Sequence, residues 1–147
     1  MPHIRLIAPS WALPEEDVTL TKAYFENLGM RVSAPADLLG DDLLCAHQAP
    51  VRLAHLKQAL GDPSIDIIWL LCGGSGLTQL IPDLFTLEKP EKDKLFIGFS
   101  DGTALHVFLN QVWNMPTLHA PCAAQMAKQK VGTQSIQATL DLLNSDL

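Results

Sequence analysis

Leu95-Phe96-Ile97-Gly98-Phe99-Ser100-Asp101-Gly102-Thr103-Ala104-Leu105-His106 passes from an apolar run through a tight turn into a helical pattern. Leu95 to Phe99 predicts a strand. From Thr103 to Trp113 the apolar residues Ala104, Leu105, Val107, Phe108, Leu109, Val112 and Trp113 lie nearly all round, which predicts a well-buried helix. A strand turning sharply into a buried helix is a unit of layered α/β architecture.

Working outward from this stretch, the same alternation continues in both directions. Ile65 to Cys72 predicts a strand that is apolar on both faces after Asp66, as a central parallel strand covered by helices should be. Gly73-Gly74-Ser75-Gly76 follows it, then a short helix near Leu77 to Ile81. Further upstream, Ile4 to Ala8 predicts a first strand ending at Pro9-Ser10. Pro14 to Leu28 predicts a helix, with Leu20, Tyr24 and Leu28 at i, i+4, i+8 and Gly29 as its stop. Met30 to Ser33 is a short strand, and Ala34 to Pro50 reads as loop. Val51 to Leu60 predicts a helix on Leu53, Leu56 and Leu60, followed by a turn at Asp62-Pro63-Ser64. Downstream, Glu88 to Lys94 is a charged surface connection, Thr117 to His119 a short strand, and Thr133 to Ser145 an amphipathic helix on Ile136, Leu140 and Leu143.

This order predicts an α/β fold with an open, mostly parallel sheet and helices on both faces, a three-layer sandwich of the flavodoxin or class I glutamine amidotransferase kind. A length of 147 residues predicts one domain over 1–147. Ligands of such sheets bind beyond the carboxyl ends of the strands. Three segments fall there: Pro9-Ser10, Cys72 to Gly76, and Gly98 to Gly102.

Composition narrows the function classes. Hydrophobic residues make up 48% and charged residues 18%, which fits a globular domain. The net charge is -6 and the Lys and Arg residues form no run, so no nucleic-acid footprint is expected. Cys45, Cys72 and Cys122 are too few and too dispersed for a disulfide framework or a zinc site, and read as reduced cytoplasmic thiols. Met1 to Arg5 shows no signal-peptide pattern, and the longest apolar run, Ile67 to Cys72, is too short to span a membrane.

Gly98-Phe99-Ser100-Asp101-Gly102 matches G-x-S-x-G in the strand–turn–helix setting that motif requires. The expected turn strains the serine backbone and crowds the residues two positions away, where glycine fits. The Ser100 hydroxyl is then exposed at the positive end of the following helix. An oxyanion hole needs backbone N–H donors. The amide of Asp101 is the expected first donor, with Gly73 and Gly74 supplying a second. A plainer reading makes Ser100 a helix cap and Asp101 a favourable first-turn acid.

A nucleophilic serine needs a base. His106 lies nearly two turns along the same helix and cannot reach back; its expected role is structural. His119, after the last short strand, is the local candidate for a base, although a loop hydrogen-bonding role is the plainer one. His3, His47 and His55 read as surface residues. Cys72 reads as a small buried hydrophobe, and Trp11, Trp69 and Trp113 as packing, with Trp11 beside the cleft and able to border a ligand. The chain therefore carries no convincing Ser–His–acid set.

At this point the residues resemble the LD-carboxypeptidase family, serine peptidases that trim murein tetrapeptides. Ile7-Ala8-Pro9-Ser10 looks like the family's first strand and loop, and Asp66 to Gly76 like its strand and Gly-Gly-x-Gly loop. Gly98-Phe99-Ser100-Asp101 with Thr103-Ala104-Leu105-His106 looks like its nucleophile elbow, and His119-Ala120-Pro121 is similar to its His-Gly-Pro. Cys72 and Ser75 stand where the family often has Arg and Tyr, and Gly102 where it has a larger residue.

The resemblance implies a Ser–His–Glu triad with Ser100 as nucleophile, and a separate C-terminal domain beyond residue 147 that carries the His and Glu. It implies hydrolysis of the bond to a terminal D-alanine in cytoplasmic muropeptides during peptidoglycan recycling, without metal or cofactor. Residues 1–147 would be the N-terminal domain, inactive alone. Ser10, Ser75 and His119 are the expected substrate contacts. Partners are then the peptide substrate and the second domain, with a homodimer as a further arrangement. Three alternatives stay open: cleavage of a peptide–nucleotide antibiotic by a self-immunity member of the same family, a phosphate-binding module built on Gly73 to Gly76, and a non-catalytic scaffold.

Overall fold

The computed structural model describes residues 1–145. Five strands form one sheet: β1 (His3–Ile7), β2 (Arg31–Ser33), β3 (Ile67–Leu70), β4 (Leu95–Gly98) and β5 (Thr117–His119). Their spatial order is β2-β1-β3-β4-β5 and every pairing is parallel. This is the doubly wound order of flavodoxin-like sheets, with its switch point between β1 and β3. The expectation of a mostly parallel sheet is met by one that is wholly parallel.

Side chains alternate across the sheet with period two and split the interior into two cores. Ile7, Ile68, Leu70 and Phe96 face one way and pack with α2 (Ala49–Gly61), α3 (Ile81–Leu84) and α4 (Thr103–Trp113). Ile4, Leu6, Ile67, Trp69, Leu71 and Ile97 face the other way. They pack with α1 (Glu15–Asn27), α5 (Ala123–Ala127) and α6 (Thr133–Asn144). The three-layer arrangement follows from strands that are apolar on both faces.

Several local expectations need correction. The helix α5 lies in a stretch for which the sequence predicts no element. Five residues make little more than one turn, so no i, i+4 repeat exists to detect. Cys122 caps it, with its backbone N–H donating to Gln125 Oε1 at 3.3 Å. The helix α4 is not buried all round: Val107 and Val112 are 57% and 46% exposed. His3 and His55 are buried rather than superficial. His3 Nδ1–H donates to the Ser64 carbonyl at 3.1 Å, and Nε2 accepts from the Ser33 hydroxyl at 2.8 Å. His55 Nε2 lies 2.9 Å from Asp37 Oδ1. Lys94 ends the charged connection with its ammonium turned inward, donating to the carbonyls of Asp62 (2.7 Å) and Ile65 (3.2 Å). In each case a polar head satisfied by nearby backbone or a partner side chain makes burial tolerable, and such partners are not visible in a hydropathy pattern.

Candidate active site

The loops after β1, β3 and β4 meet at the carboxyl ends of the strands, beside the switch point. Phe99 leaves β4 in extended conformation, and Ser100 then adopts φ +60°, in the left-handed region. A short 3-10 turn, Ser100–Gly102, leads into α4. A non-glycine residue there stores strain, typically about 1–3 kcal/mol. The result is an exposed Ser100 side chain above the carboxyl end of β4.

The two motif glycines have one common cause. A Cβ at Gly98 would lie 2.8 Å from Leu70 Cβ, and one at Gly102 would lie 3.0 Å from Leu70 Cδ2. Leu70 ends β3 and fills the space under the turn. The crowding two residues either side of Ser100, expected from the motif, is therefore contact with the neighbouring strand.

Gly73 lies against the serine. A Cβ there would fall 3.0 Å from Ser100 Cβ, 3.1 Å from Oγ and 4.0 Å from the Asp101 nitrogen. The Asp101 amide opens a helical turn, where N–H groups have no partner within the helix. Gly74 has φ +121°, and the Trp11 indole occupies the space its side chain would need. Trp11 is held by antiparallel bridging to Cys45 and by its N–H on the Gly73 carbonyl at 3.4 Å. Its indole remains 47% exposed, beside the cleft as expected.

The Asp101 carboxylate turns away from Ser100. Its Oδ2 accepts the Ser10 hydroxyl at 2.7 Å and the Leu77 N–H at 2.9 Å. Ser10 is wholly buried. Its expected role as a substrate contact is corrected here: the hydroxyl is spent on the loop-to-loop bond. Ser75 and His119 are exposed, on the glycine loop and at the end of β5.

His106 is buried and its Nε2–H donates to the Gly98 carbonyl at 2.8 Å, which ties α4 back to the end of β4. Burial, above all, pushes its pKa below the ordinary value, with His119 acting in the same direction and the Gly98 bond opposing. The structural role expected for His106 is thus located. His119 pairs in register with Gly98, and its ring lies 5.7 Å from that of His106. Among the described residues, no side chain hydrogen-bonds Ser100 Oγ. Burial raises Cys72 to about 11, with its thiol donating to the Trp11 carbonyl at 3.2 Å, and Cys122 to about 12. Neither is a thiolate at neutral pH, so neither is poised as a nucleophile. Phe99, His119, Ala120, Pro121, Gln125 and Val131 line a mainly apolar depression of about 220 Å³ beside the turn.

Residues 4–120 match the family described as the LD-carboxypeptidase N-terminal domain, Peptidase S66. The chain belongs to this family. A Rickettsia conorii protein provisionally named as a carboxypeptidase is 38% identical over 125 residues, covering 85% of this chain and 39% of that protein. The murein tetrapeptide carboxypeptidase of Pseudomonas aeruginosa is 30% identical over 128 residues, covering 82% and 39%. Among solved structures, the muramoyltetrapeptide carboxypeptidase of Oxalobacter formigenes superposes with TM-score 0.79 at 20% identity, over 97% of this chain and 48% of that one. At that identity the likeness bears on the fold. The chain spans less than half the length of these family members.

Two features of the site escaped the sequence reading. Arg52 is buried among the strand-end loops, where its position in a helix pattern gave no sign of it. The Asp101 carboxylate is expected only as a first-turn acid, and its bonds to Ser10 and Leu77 span 91 and 24 residues of sequence.

Proposed function

We propose that this chain is the nucleophile-bearing domain of a serine LD-carboxypeptidase, which hydrolyses the bond to the terminal D-alanine of murein tetrapeptides. The observation that carries the reading is an exposed Ser100 at φ +60° between β4 and α4, with the Gly73 backbone against it. The Ser100 oxygen attacks the penultimate carbonyl carbon as its proton passes to a histidine. The Asp101 amide and the Gly73–Gly74 backbone stabilise the oxyanion. The C–N bond breaks, D-alanine leaves with that proton on its amine, and water hydrolyses the acyl ester. The histidine and its glutamate come from a second domain, so the chain alone is idle. Trp11 borders the substrate at the switch point, and Ser75 and His119 offer polar contacts. The three free thiols suit a reducing compartment, which supports a cytoplasmic site acting on recycled muropeptides.

The test compares release of D-alanine from a murein tetrapeptide by this chain and by a polypeptide of the relatives' length. The longer form turns over and loses activity with Ser100→Ala, while the 147-residue chain does not. Turnover by the short chain would mean that a local base exists, with His119→Ala the next variant to assay. A longer form that neither releases D-alanine nor reacts with a fluorophosphonate at Ser100 would sink the reading.

A further inference from the structure

Beneath the cleft, a buried cation and a partly buried carboxylate face each other across a single peptide group. Arg52 is 2% exposed. Its Nε donates to the His47 carbonyl at 2.7 Å and its Nη2 to Gln79 Oε1 at 2.7 Å. Its Nη1 donates to the carbonyls of Pro9 and Gly76, the latter at 3.1 Å. All four acceptors are neutral, and among the described residues no carboxylate pairs with the guanidinium directly. A cation at such depth is costly unless its field is compensated.

The Gly76 carbonyl and the Leu77 N–H belong to one peptide group. Its oxygen accepts from Arg52 and its N–H donates to Asp101 Oδ2 at 2.9 Å. The negative end of the peptide dipole thus meets the cation and the positive end meets the anion. A second link runs after β1, where the Pro9 carbonyl accepts from Arg52 and the hydroxyl of the next residue, Ser10, donates to Asp101 at 2.7 Å. Gly76 makes the approach feasible: its φ is +118°, and a Cβ there would sit 2.7 Å from Cys45 Sγ and 3.1 Å from Arg52 Nη1. The exposed carboxyl of Asp42 is held below the ordinary range chiefly by the Leu44 and Cys45 amides, with Arg52 adding a lesser attraction. Arg52 therefore joins the loops after β1 and β3 from below, and Asp101 joins the same two loops to the serine turn.

We propose that Arg52 is a positioning residue for the Ser100 site: through the Gly76–Leu77 peptide and the Pro9–Ser10 segment it fixes the Asp101 carboxylate, and with it the amide beside Ser100. Its effect on turnover rests on the serine-peptidase reading; the charge relay does not.

The relay is tested in the 147-residue chain by proton–nitrogen correlation spectra. With Arg52→Met, the Leu77 amide proton moves upfield, because a donor bonded at one end only is less polarised. In an unfolding cycle, Arg52→Met combined with Asp101→Asn loses less stability than the two singles added. An unmoved Leu77 resonance in folded Arg52→Met, with additive losses, overturns the relay. If Arg52→Met does not fold, the near-isosteric Asp101→Asn replaces it, with the Arg52 Nη1–H resonances, which face the Pro9 and Gly76 carbonyls, as readout: a shift supports the relay and none overturns it. In a polypeptide of the relatives' length, Arg52→Met lowers kcat roughly 10–100-fold with KM little changed, as expected when a group at the reacting centre is misplaced. Arg52→Lys does not rescue it, since a single ammonium cannot span the four acceptors. An unchanged kcat overturns the positioning role. If the wild-type longer form shows no turnover, the peptidase reading fails, and the resonance shifts alone judge the relay.

Discussion

At the scale of single residues, the glycines flanking Ser100 separate two kinds of steric demand. Gly98 faces the Cβ of Leu70, which moves only with the backbone of β3, whereas Gly102 faces the Cδ2 of the same residue, the free end of a side chain. We expect Gly98→Ala to cost about 2–3 kcal/mol and Gly102→Ala about 1 kcal/mol, within the usual range for overpacking. Pairing with Leu70→Val recovers stability for the second variant alone. Urea unfolding of the four proteins checks this, and equal costs at the two positions would contradict the assignment. The motif showed that small residues were needed, because steric crowding at a strand-to-helix turn is local. It could not show that one leucine on another strand does the crowding, nor that Asp101 and Arg52 reach across the loops, since those contacts join residues 24 to 91 positions apart.

At the scale of elements, the link between α4 and β4 runs through one imidazole. His106 donates to Gly98 as the neutral ring, and burial lowers its pKa in the folded state. The unfolded chain then binds the proton more readily. This contribution to stability is fully present above the unfolded value of 6.5, and is lost as pH falls through the lower folded value. His119, the nearby titratable ring, acts in the same sense. The carboxyls of Asp37, Asp42, Asp62 and Asp66 are held below 3.8, so their losses come at more acid pH. Unfolding midpoints between pH 7 and the folded value should fall for the wild type and stay flatter for His106→Gln. A wild-type curve as flat as the variant's would remove His106 from the account. Long elements with a clear period were legible in sequence, α1, α2, α4 and α6 among them. The strands β3 and β4 were legible from apolar runs, with ends trimmed by one or two residues. The helix α5 was not, because its stability comes from burying Ala123, Ala124 and Met126 against α1 and the sheet rather than from a repeat of its own.

At the scale of the whole molecule, the 2-1-3-4-5 order places the functional loops on the most supported strands. β1, β3 and β4 are paired on both sides, while β2 and β5 are three-residue edges with partly exposed side chains. Hydrogen exchange should show the slowest amides in Ile4 to Ile7, Ile67 to Leu70 and Phe96 to Ile97, and faster exchange in β2 and β5. Uniform protection across the sheet would argue against this hierarchy. The sandwich itself was readable because two-sided apolar strands need two helical layers.

The left-handed backbone at Ser100 bears on how such a site persists through descent. At φ +60° a glycine would be the relaxed occupant, and Ser100→Gly would remove both the hydroxyl and much of the strain. Selection on folding alone thus runs against serine at this position. A lineage with no use for the hydroxyl would be expected to drift toward glycine here, so the serine is a position where folding and chemistry make opposite demands.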